Sequence, residues 1–147
     1  MAIKRLYQLD EERITSNSIA HQKSNNEYIN LKEYLNPTVL YNNTSGSNSN
    51  ITLSDSASNY EYIEIFFRSN DTPHNSVKIY QPNGKFVSLL TQYNNGSNIV
   101  WFKIAIVTIS GASITFNNSE EVKLVSGSSP IINKATNIYI TRVIGYK

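Results

Sequence analysis

The stretch that decides the fold class runs from Asn50 to Arg68 and ends in the nine residues Tyr60-Glu61-Tyr62-Ile63-Glu64-Ile65-Phe66-Phe67-Arg68. In this run an apolar set, Ile63, Ile65 and Phe67, alternates with a mixed set at the positions between them. Successive side chains of a β-strand point to opposite faces, so the alternation predicts a half-buried strand. A shift of one residue would bring a glutamate and an arginine into the core, and the register is therefore well specified.

Length and composition limit the classes of protein that the chain can belong to. It has 147 residues, of which 39% are hydrophobic and 11% are aromatic, and a chain of this length is expected to form one main core. The 13 basic and 11 acidic residues are scattered and leave a formal net charge of +2. Without a basic stripe, we expect no nucleic-acid partner. The absence of cysteine excludes disulfide bonds and thiolate metal sites.

The first residues, Met1–Glu12, lack the apolar core of about 7–15 residues that a secretory signal contains. No window approaches the roughly 20 apolar residues of a membrane span. We therefore expect a protein that is made in the cytoplasm and does not insert into a membrane.

The chain is predicted to divide after residue 36 into an N-terminal connecting segment, residues 1–36, and a β-domain, residues 37–147. In the connector, Ser24-Asn25-Asn26-Glu27 has the Ser-x-x-Glu spacing of a capping box. Three residues follow at helical intervals before an Asn-Pro pair ends the pattern: Tyr28, Leu31 and Leu35. The spacing predicts one short helix over about Asn25–Leu35.

The β-domain is predicted to be an antiparallel β-sandwich or a jelly roll, because about eight short strands recur with turn residues between them. These strands lie near Thr38–Asn42, Asn50–Ser54, Tyr60–Arg68, Ser76–Gln81, Phe86–Tyr93, Asn98–Ser110, Ser113–Asn117 with Val122–Val125, and Ile138–Tyr146. Gln81-Pro82-Asn83-Gly84-Lys85 and Tyr93-Asn94-Asn95-Gly96 have the residue types of tight hairpin turns. Each is predicted to join two antiparallel partners.

The segment Asn98–Ser110 is apolar on both faces and is interrupted only by Lys103. One face contains Trp101, Ala105, Val107 and Ile109, and the other contains Phe102, Ile104 and Ile106. A strand of this kind belongs at the centre of a sandwich or at a subunit interface.

Candidate catalytic residues are few. Without cysteine, any nucleophile would need His21 or His74 as its base, and both lie in polar segments that are predicted to be loops. The close carboxylate pairs are Glu61 with Glu64 and Glu120 with Glu121. Glu61 and Glu64 fall on opposite faces of their strand, whereas a glycosidase needs two carboxyl groups that converge on one cleft. We therefore expect no enzymatic activity.

The sequence also predicts no metal or cofactor site. Asp55 and Asp71 are isolated acidic residues, and Asn70-Asp71 is more typical of a turn than of a calcium site. There is no glycine-rich phosphate loop.

A binding surface is the remaining class of functional site. The chain has ten tyrosines, and a tyrosine in a polar loop offers a flat apolar ring with a hydroxyl at its tip. Tyr93, beside Asn94 and Asn95 at a predicted hairpin tip, forms the candidate ligand-binding site. The alternative is that Tyr93 is an amphipathic residue half-packed at a sheet edge.

Three stretches resemble one family of viral modules. They are Val39-Leu40-Tyr41-Asn42-Asn43, the run from Ile51 through Asp55-Ser56-Ala57-Ser58-Asn59-Tyr60 to Phe67, and Ile140-Thr141-Arg142-Val143-Ile144-Gly145-Tyr146-Lys147. They are similar to a terminal module of tail, baseplate and fibre proteins of bacteriophages that infect Gram-positive bacteria. The resemblance covers about Thr38 to Lys147, and Tyr41 stands where similar modules often have tryptophan.

The resemblance implies a virion component, commonly a homotrimer, that assembles in the host cytoplasm and contacts other tail proteins. Three hypotheses follow. The first is a receptor-binding or adhesion head that recognises host cell-surface saccharide. The second is a purely structural tail or capsid decoration protein that attaches through residues 1–36 and has no ligand. The third is a small depolymerase or cell-wall hydrolase.

Overall fold

The structure is a computed structural model that describes residues 37–94, 96, 98–134 and 137–147, together with the backbone of residues 20–22 and 28–30. The chain forms two compact units, Met1–Pro37 and Thr38–Lys147. In the first unit, strand β1 (Ala20–Gln22) pairs in antiparallel fashion with strand β2 (Tyr28–Asn30).

The helix predicted over Asn25–Leu35 is wrong at Tyr28–Asn30, because these residues form β2. The other residues of that prediction, including Leu31 and Leu35, lie outside the described part of the chain. A helix this short is marginal on its own, and tyrosine, isoleucine and asparagine are weak helix formers. The local capping signal is therefore outweighed by backbone pairing with Ala20–Gln22.

The second unit is an antiparallel β-sandwich of two packed sheets, which confirms the predicted fold class. Sheet I has the strand order β10-β9-β8-β7 and consists of β7 (Phe86–Asn94), β8 (Ile99–Ser110), β9 (Ser113–Val125) and β10 (Ile131–Lys134), with the short β4 (Ile51–Thr52) paired to β9. Sheet II has the order β3-β11-β5-β6 and consists of β3 (Thr38–Ser47), β5 (Tyr62–Arg68), β6 (Asn75–Tyr80) and β11 (Tyr139–Tyr146).

The core lies between the inner faces of the two sheets. Strand β5 buries Ile63, Ile65 and Phe67, as its alternation predicts. The buried side chains that complete the core from sheet I include Leu89, Ala105, Val107, Ile109 and Ile114. Each large aliphatic side chain buried in this way contributes about 1.5–3 kcal/mol, so this contact is the main source of the sandwich's stability.

The loop between β4 and β5 ties the two sheets to each other. The backbone N–H of Leu53 donates to the Ala112 carbonyl in the turn that follows β8 in sheet I, at 2.8 Å. The backbone N–H of Ser54 donates to the Leu40 carbonyl on β3 of sheet II, also at 2.8 Å. A 3-10 turn at Ala57–Asn59 then leads into β5. The stretch that decides the fold class therefore links both layers as well as supplying an interior strand.

One of the two predicted hairpins is wrong. The turn at Gln81–Lys85 is tight, and Gly84 has a φ of +76°, but β6 belongs to sheet II and β7 to sheet I. The turn is instead held against sheet I, where the Gly84 N–H donates to the Ile109 carbonyl at 2.8 Å. Turn chemistry is local, so it does not specify which sheet the next strand joins. The turn that follows Tyr93 does join the antiparallel partners β7 and β8, as predicted.

Sheet I also differs from the prediction in β9 and β10. Strand β9 is continuous from Ser113 to Val125, although its polar middle predicts a break. It pairs with β8 on one side and with β10 on the other, and these hydrogen bonds outweigh the weak strand propensity of asparagine. Strand β10 was not predicted, because all four of its residues are exposed and no buried alternation marks it.

Candidate functional site

A row of polar side chains marks the end of the core in sheet I. Thr91, Lys103 and Glu121 are register partners on β7, β8 and β9. The ammonium group of Lys103, on a side chain only 8% exposed, forms ion pairs with Asp71 and, at 3.7 Å, with Glu121. The Asn137 amide donates to the same Glu121 carboxylate at 3.2 Å. A buried cation requires such partners because its desolvation is costly, and the hydrophobic core therefore ends at this row.

The next row on the same face of sheet I is formed by Tyr93, Trp101 and Lys123. Tyr93 on β7 and Lys123 on β9 are the register partners of Trp101 on β8. The Tyr93 side chain is 38% exposed, and the other two residues are partly buried. The ammonium nitrogen of Lys123 lies 5.0 Å from the centroid of the Trp101 ring, within the range of a cation–π contact. Ile131 of β10, which is 48% exposed, pairs with Lys123 and extends the row.

The Tyr93–Trp101–Lys123 row is suited to bind the apolar face of a sugar ring. Two aromatic side chains lie side by side at a surface, and the backbone register of three paired strands sets their spacing. The Tyr93 hydroxyl and the Lys123 ammonium are polar donors at the ends of the same row. A surface built on strands loses little side-chain freedom when a ligand binds, which favours affinity.

The structure places two residues of the predicted ligand site, Tyr93 and Asn94, on opposite faces of β7. Tyr93 belongs to the surface row, whereas Asn94 follows it on β7 and points to the opposite face. The Asn94 side-chain oxygen accepts a hydrogen bond from the Gly96 N–H at 2.9 Å, which gives it a role in the turn. Asn95 lies outside the described residues. Ligand binding by Asn94 and Asn95 stays a prediction.

Trp101 is the site residue that the sequence analysis missed. The sequence places it on one face of a strand that is apolar on both faces, together with Ala105 and Val107, and the structure shows that this face is the core face. It is partly exposed because it lies beyond Lys103, where the core has ended. The signal that could have found Trp101 is the single lysine in an otherwise apolar strand. This lysine marks the position at which sheet II no longer packs against β8.

A second group of aromatic residues lies on the outer face of sheet II. Tyr62 stacks on Tyr146 with ring centroids 4.4 Å apart, and its centroid is 5.2 Å from that of Tyr80. Burial, and then the negative charge of Glu64, raise the pKa of the Tyr146 hydroxyl above its ordinary value. Tyr62 and Tyr146 use their ring faces on each other, whereas Tyr80 is 62% exposed.

The carboxylates singled out in the sequence are engaged at separate places. Glu64 accepts a hydrogen bond from Ser76 at 2.7 Å on the outer face of sheet II. Glu121 is in the Lys103 cluster, whereas its neighbour Glu120 accepts from the Asn118 amide at 2.9 Å. In the described part of the chain no group of three or more His, Asp or Glu residues could hold a metal ion.

The two histidines belong to different compact units of the chain. His74 is exposed in the loop between β5 and β6. His21 was predicted in a loop and instead belongs to β1, where its backbone pairs with Ile29. The local polarity of the segment concealed this pairing, since a three-residue strand has no readable alternation.

No known protein-family model matches the chain, and no characterised protein sequence matches it either. Among the residues that the structure describes, there is no helix with the length and apolar character needed to cross a membrane. Functional inference therefore rests on the Tyr93–Trp101–Lys123 row and on the sequence resemblance.

Proposed function

We propose that the chain is a bacteriophage tail, baseplate or fibre protein whose β-sandwich is a receptor-binding head for saccharide on the host cell surface. The observation that supports this most directly is the Tyr93–Trp101–Lys123 row, in which two aromatic residues and a cation share one partly exposed face. The resemblance of Thr38–Lys147 to modules of phages of Gram-positive bacteria supplies the biological setting. In that setting the protein is a virion component that binds without catalysis.

Low affinity at each individual saccharide site is consistent with this proposal. One sugar ring on two aromatic side chains gives low affinity, because few groups are buried and the surface is open. A homotrimer would present several such rows at once, and linked sites can raise overall binding by about 10²–10⁴ without new contacts. The proposed head therefore includes trimerisation, with the connector, residues 1–36, as the contact to other virion proteins.

The proposal is tested with Trp101→Ala and Tyr93→Ala in the full chain, measured as retention on cell-wall preparations from Gram-positive bacteria. The matched control is Tyr80→Ala, which removes a tyrosine that is 62% exposed on the other sheet. Each site variant is expected to lose at least about tenfold in binding, and the control about none. Equal binding by all three variants, or no retention of the parent chain on any preparation, would contradict the proposal.

The second candidate is a structural tail or capsid decoration protein without a ligand. Apolar side chains on the outer face of sheet I favour it, since Phe86 is 74% exposed, Leu90 50% and Ile132 64%. Exposed apolar surface of this kind is common where one protein packs on another. In this case the outer face would contact a neighbouring virion protein.

The two candidates are separated by cell-wall binding and by its dependence on Trp101, because both are proposed to attach to the virion through residues 1–36. A decoration protein is expected to co-purify with virion proteins, to lose incorporation when residues 1–36 are deleted, and to be indifferent to Trp101→Ala. Retained incorporation after the deletion would contradict the attachment that both candidates share, whereas retention on cell walls that Trp101→Ala abolishes would contradict the second candidate.

A further inference from the structure

The outer face of sheet II contains a concavity of about 430 Å³ that is separate from the Tyr93–Trp101–Lys123 row. It is lined by Asn42, Thr44, Phe66, His74, Thr141 and Arg142. Three of these residues form one row across the sheet, because Arg142 on β11 is the register partner of both Asn42 on β3 and Phe66 on β5. His74 adds a side chain from the loop between β5 and β6. A concavity of this volume is in the range that accepts small molecules.

A β-bulge directs Arg142 into this concavity. Ile140 and Arg142 are two residues apart, so in a regular strand both would face the core. The register shifts between them against both neighbouring strands, and Val143 is buried instead. Thr141, the extra residue, is buried and its hydroxyl donates to the Phe66 carbonyl at 3.2 Å. Bulges that re-aim a side chain are common next to binding sites.

The side chain of Arg142 makes no hydrogen bond or ion pair with any other residue that the structure describes. Arg68, by contrast, donates to the Ser45 carbonyl at 3.0 Å and lies over the Tyr139 ring. The carboxylate on the row next to Arg142 belongs to Glu64, which accepts hydrogen bonds from two hydroxyl groups. Arg142 is exposed, so an external anion can reach its guanidinium group.

The lining of the concavity defines the chemistry of its ligand. A guanidinium group binds phosphate or carboxylate through two parallel N–H donors. The Asn42 amide and the Thr44 hydroxyl are further neutral donors in the lining. The partly buried ring of Phe66 is an apolar surface that an inorganic ion would not use.

From this arrangement we infer that the Arg142 concavity is a binding site for an oxyanion attached to a sugar or polyol. The oxyanion, phosphate ester or carboxylate, pairs with Arg142, and the carbon skeleton packs on Phe66. The site is on the opposite sheet from Trp101 and does not depend on the proposed saccharide head.

The test is calorimetric titration of the full chain with glycerol phosphate, glucuronate, glucose and inorganic phosphate. Saturable binding of glycerol phosphate or glucuronate is expected, with the tighter of the two identifying the oxyanion. Glucose is expected not to bind here, and inorganic phosphate is expected to bind more weakly by at least about threefold, since it makes no contact with Phe66.

Two variants assign the binding to the concavity. Arg142→Gln is expected to reduce affinity by at least about tenfold. The control, Lys78→Gln, removes an exposed charge from the same face of sheet II, and affinity should stay within about twofold of the parent chain.

Three results would overturn the inference. They are no saturable binding of either organic anion, equal losses in the two variants, and inorganic phosphate binding as tightly as the ester. Retention on cell walls that depends on Trp101 can succeed or fail independently, so failure of this site and failure of the proposed head are distinguishable.

Discussion

The ring of Tyr60 lies directly against the backbone of Gly145, so that a Cβ atom at residue 145 would clash with Cδ1 of the tyrosine. Tyr60 ends the loop that links the sheets, and Gly145 lies on β11 in sheet II. The Tyr60 hydroxyl also donates to Asp55 at 3.0 Å. This contact joins two of the three stretches on which the family resemblance rests, and it explains physically why a tyrosine and a glycine stand there.

Gly145→Ala is expected to destabilise the sandwich by about 1–3 kcal/mol, because the added methyl group must displace the Tyr60 ring. The measurement is the free energy of unfolding in urea. The matched experiment repeats Gly145→Ala in a Tyr60→Ala background, where the cost of the methyl group should be smaller. An equal cost in both backgrounds would show that the clash with Tyr60 is not the cause.

Asp55 is expected to make stability depend on acid pH. The Ser56 N–H, followed by the Tyr60 hydroxyl, hydrogen-bonds its carboxylate and lowers the pKa below its ordinary value of 3.8. Because the folded pKa is lower than the unfolded one, the contribution is present above pH 3.8 and is lost as the pH falls through the folded pKa.

The variant that tests this is Asp55→Asn, compared with the parent chain by thermal unfolding. The difference in Tm should be largest above pH 3.8 and should shrink as the pH falls through the folded pKa of Asp55. A difference that does not change with pH would contradict the assignment.

Two buried threonines, one with a hydrogen-bonded hydroxyl and one without, allow the free-energy cost of an unsatisfied buried hydroxyl to be measured. Thr91 Oγ1 is buried and has no hydrogen-bond partner among the described residues, whereas the Thr141 hydroxyl donates to the Phe66 carbonyl. Thr91→Val is expected to raise the free energy of unfolding by about 1 kcal/mol, and Thr141→Val to lower it by about 1 kcal/mol. Denaturant unfolding measures both changes. Loss of stability in Thr91→Val would mean that its hydroxyl is satisfied.

The sequence predicts the features of this structure that depend on neighbouring residues, but not the features that depend on residues far apart in the chain. Alternation in Tyr62–Arg68 correctly places Ile63 and Ile65 in the core, because period and burial are local properties of one strand. The turn after Gln81 has the chemistry of a hairpin, yet it crosses between sheets, since strand pairing is decided by distant residues. The capping signal before Tyr28 fails for the same reason.

The candidate site is predictable only in part. Tyr93 is recognisable as an aromatic residue beside a turn, but its partnership with Trp101 depends on the register of β7 and β8. Lys123, which lies over the Trp101 ring, comes from a third strand whose pairing no local pattern reveals. The Arg142 concavity depends on a bulge, and neither the spacing nor the composition of β11 predicts one.

The proposed head also predicts an oligomer. Light scattering of the full chain is expected to give the mass of a homotrimer, and residues 37–147 alone should retain it if the sandwich forms the interface. A monomer in both cases would contradict the trimeric head and favour the decoration role.

Trp101, the one tryptophan of the chain, is a fluorescent probe within the proposed saccharide site. The full chain is titrated with saccharide released from Gram-positive cell walls while tryptophan emission is recorded. A saturable change in emission is expected, with an affinity that Tyr93→Ala weakens by at least about tenfold and Tyr80→Ala leaves unchanged. Saccharide binding detected by calorimetry without any change in Trp101 emission, or no binding to any preparation, would contradict the proposed saccharide site.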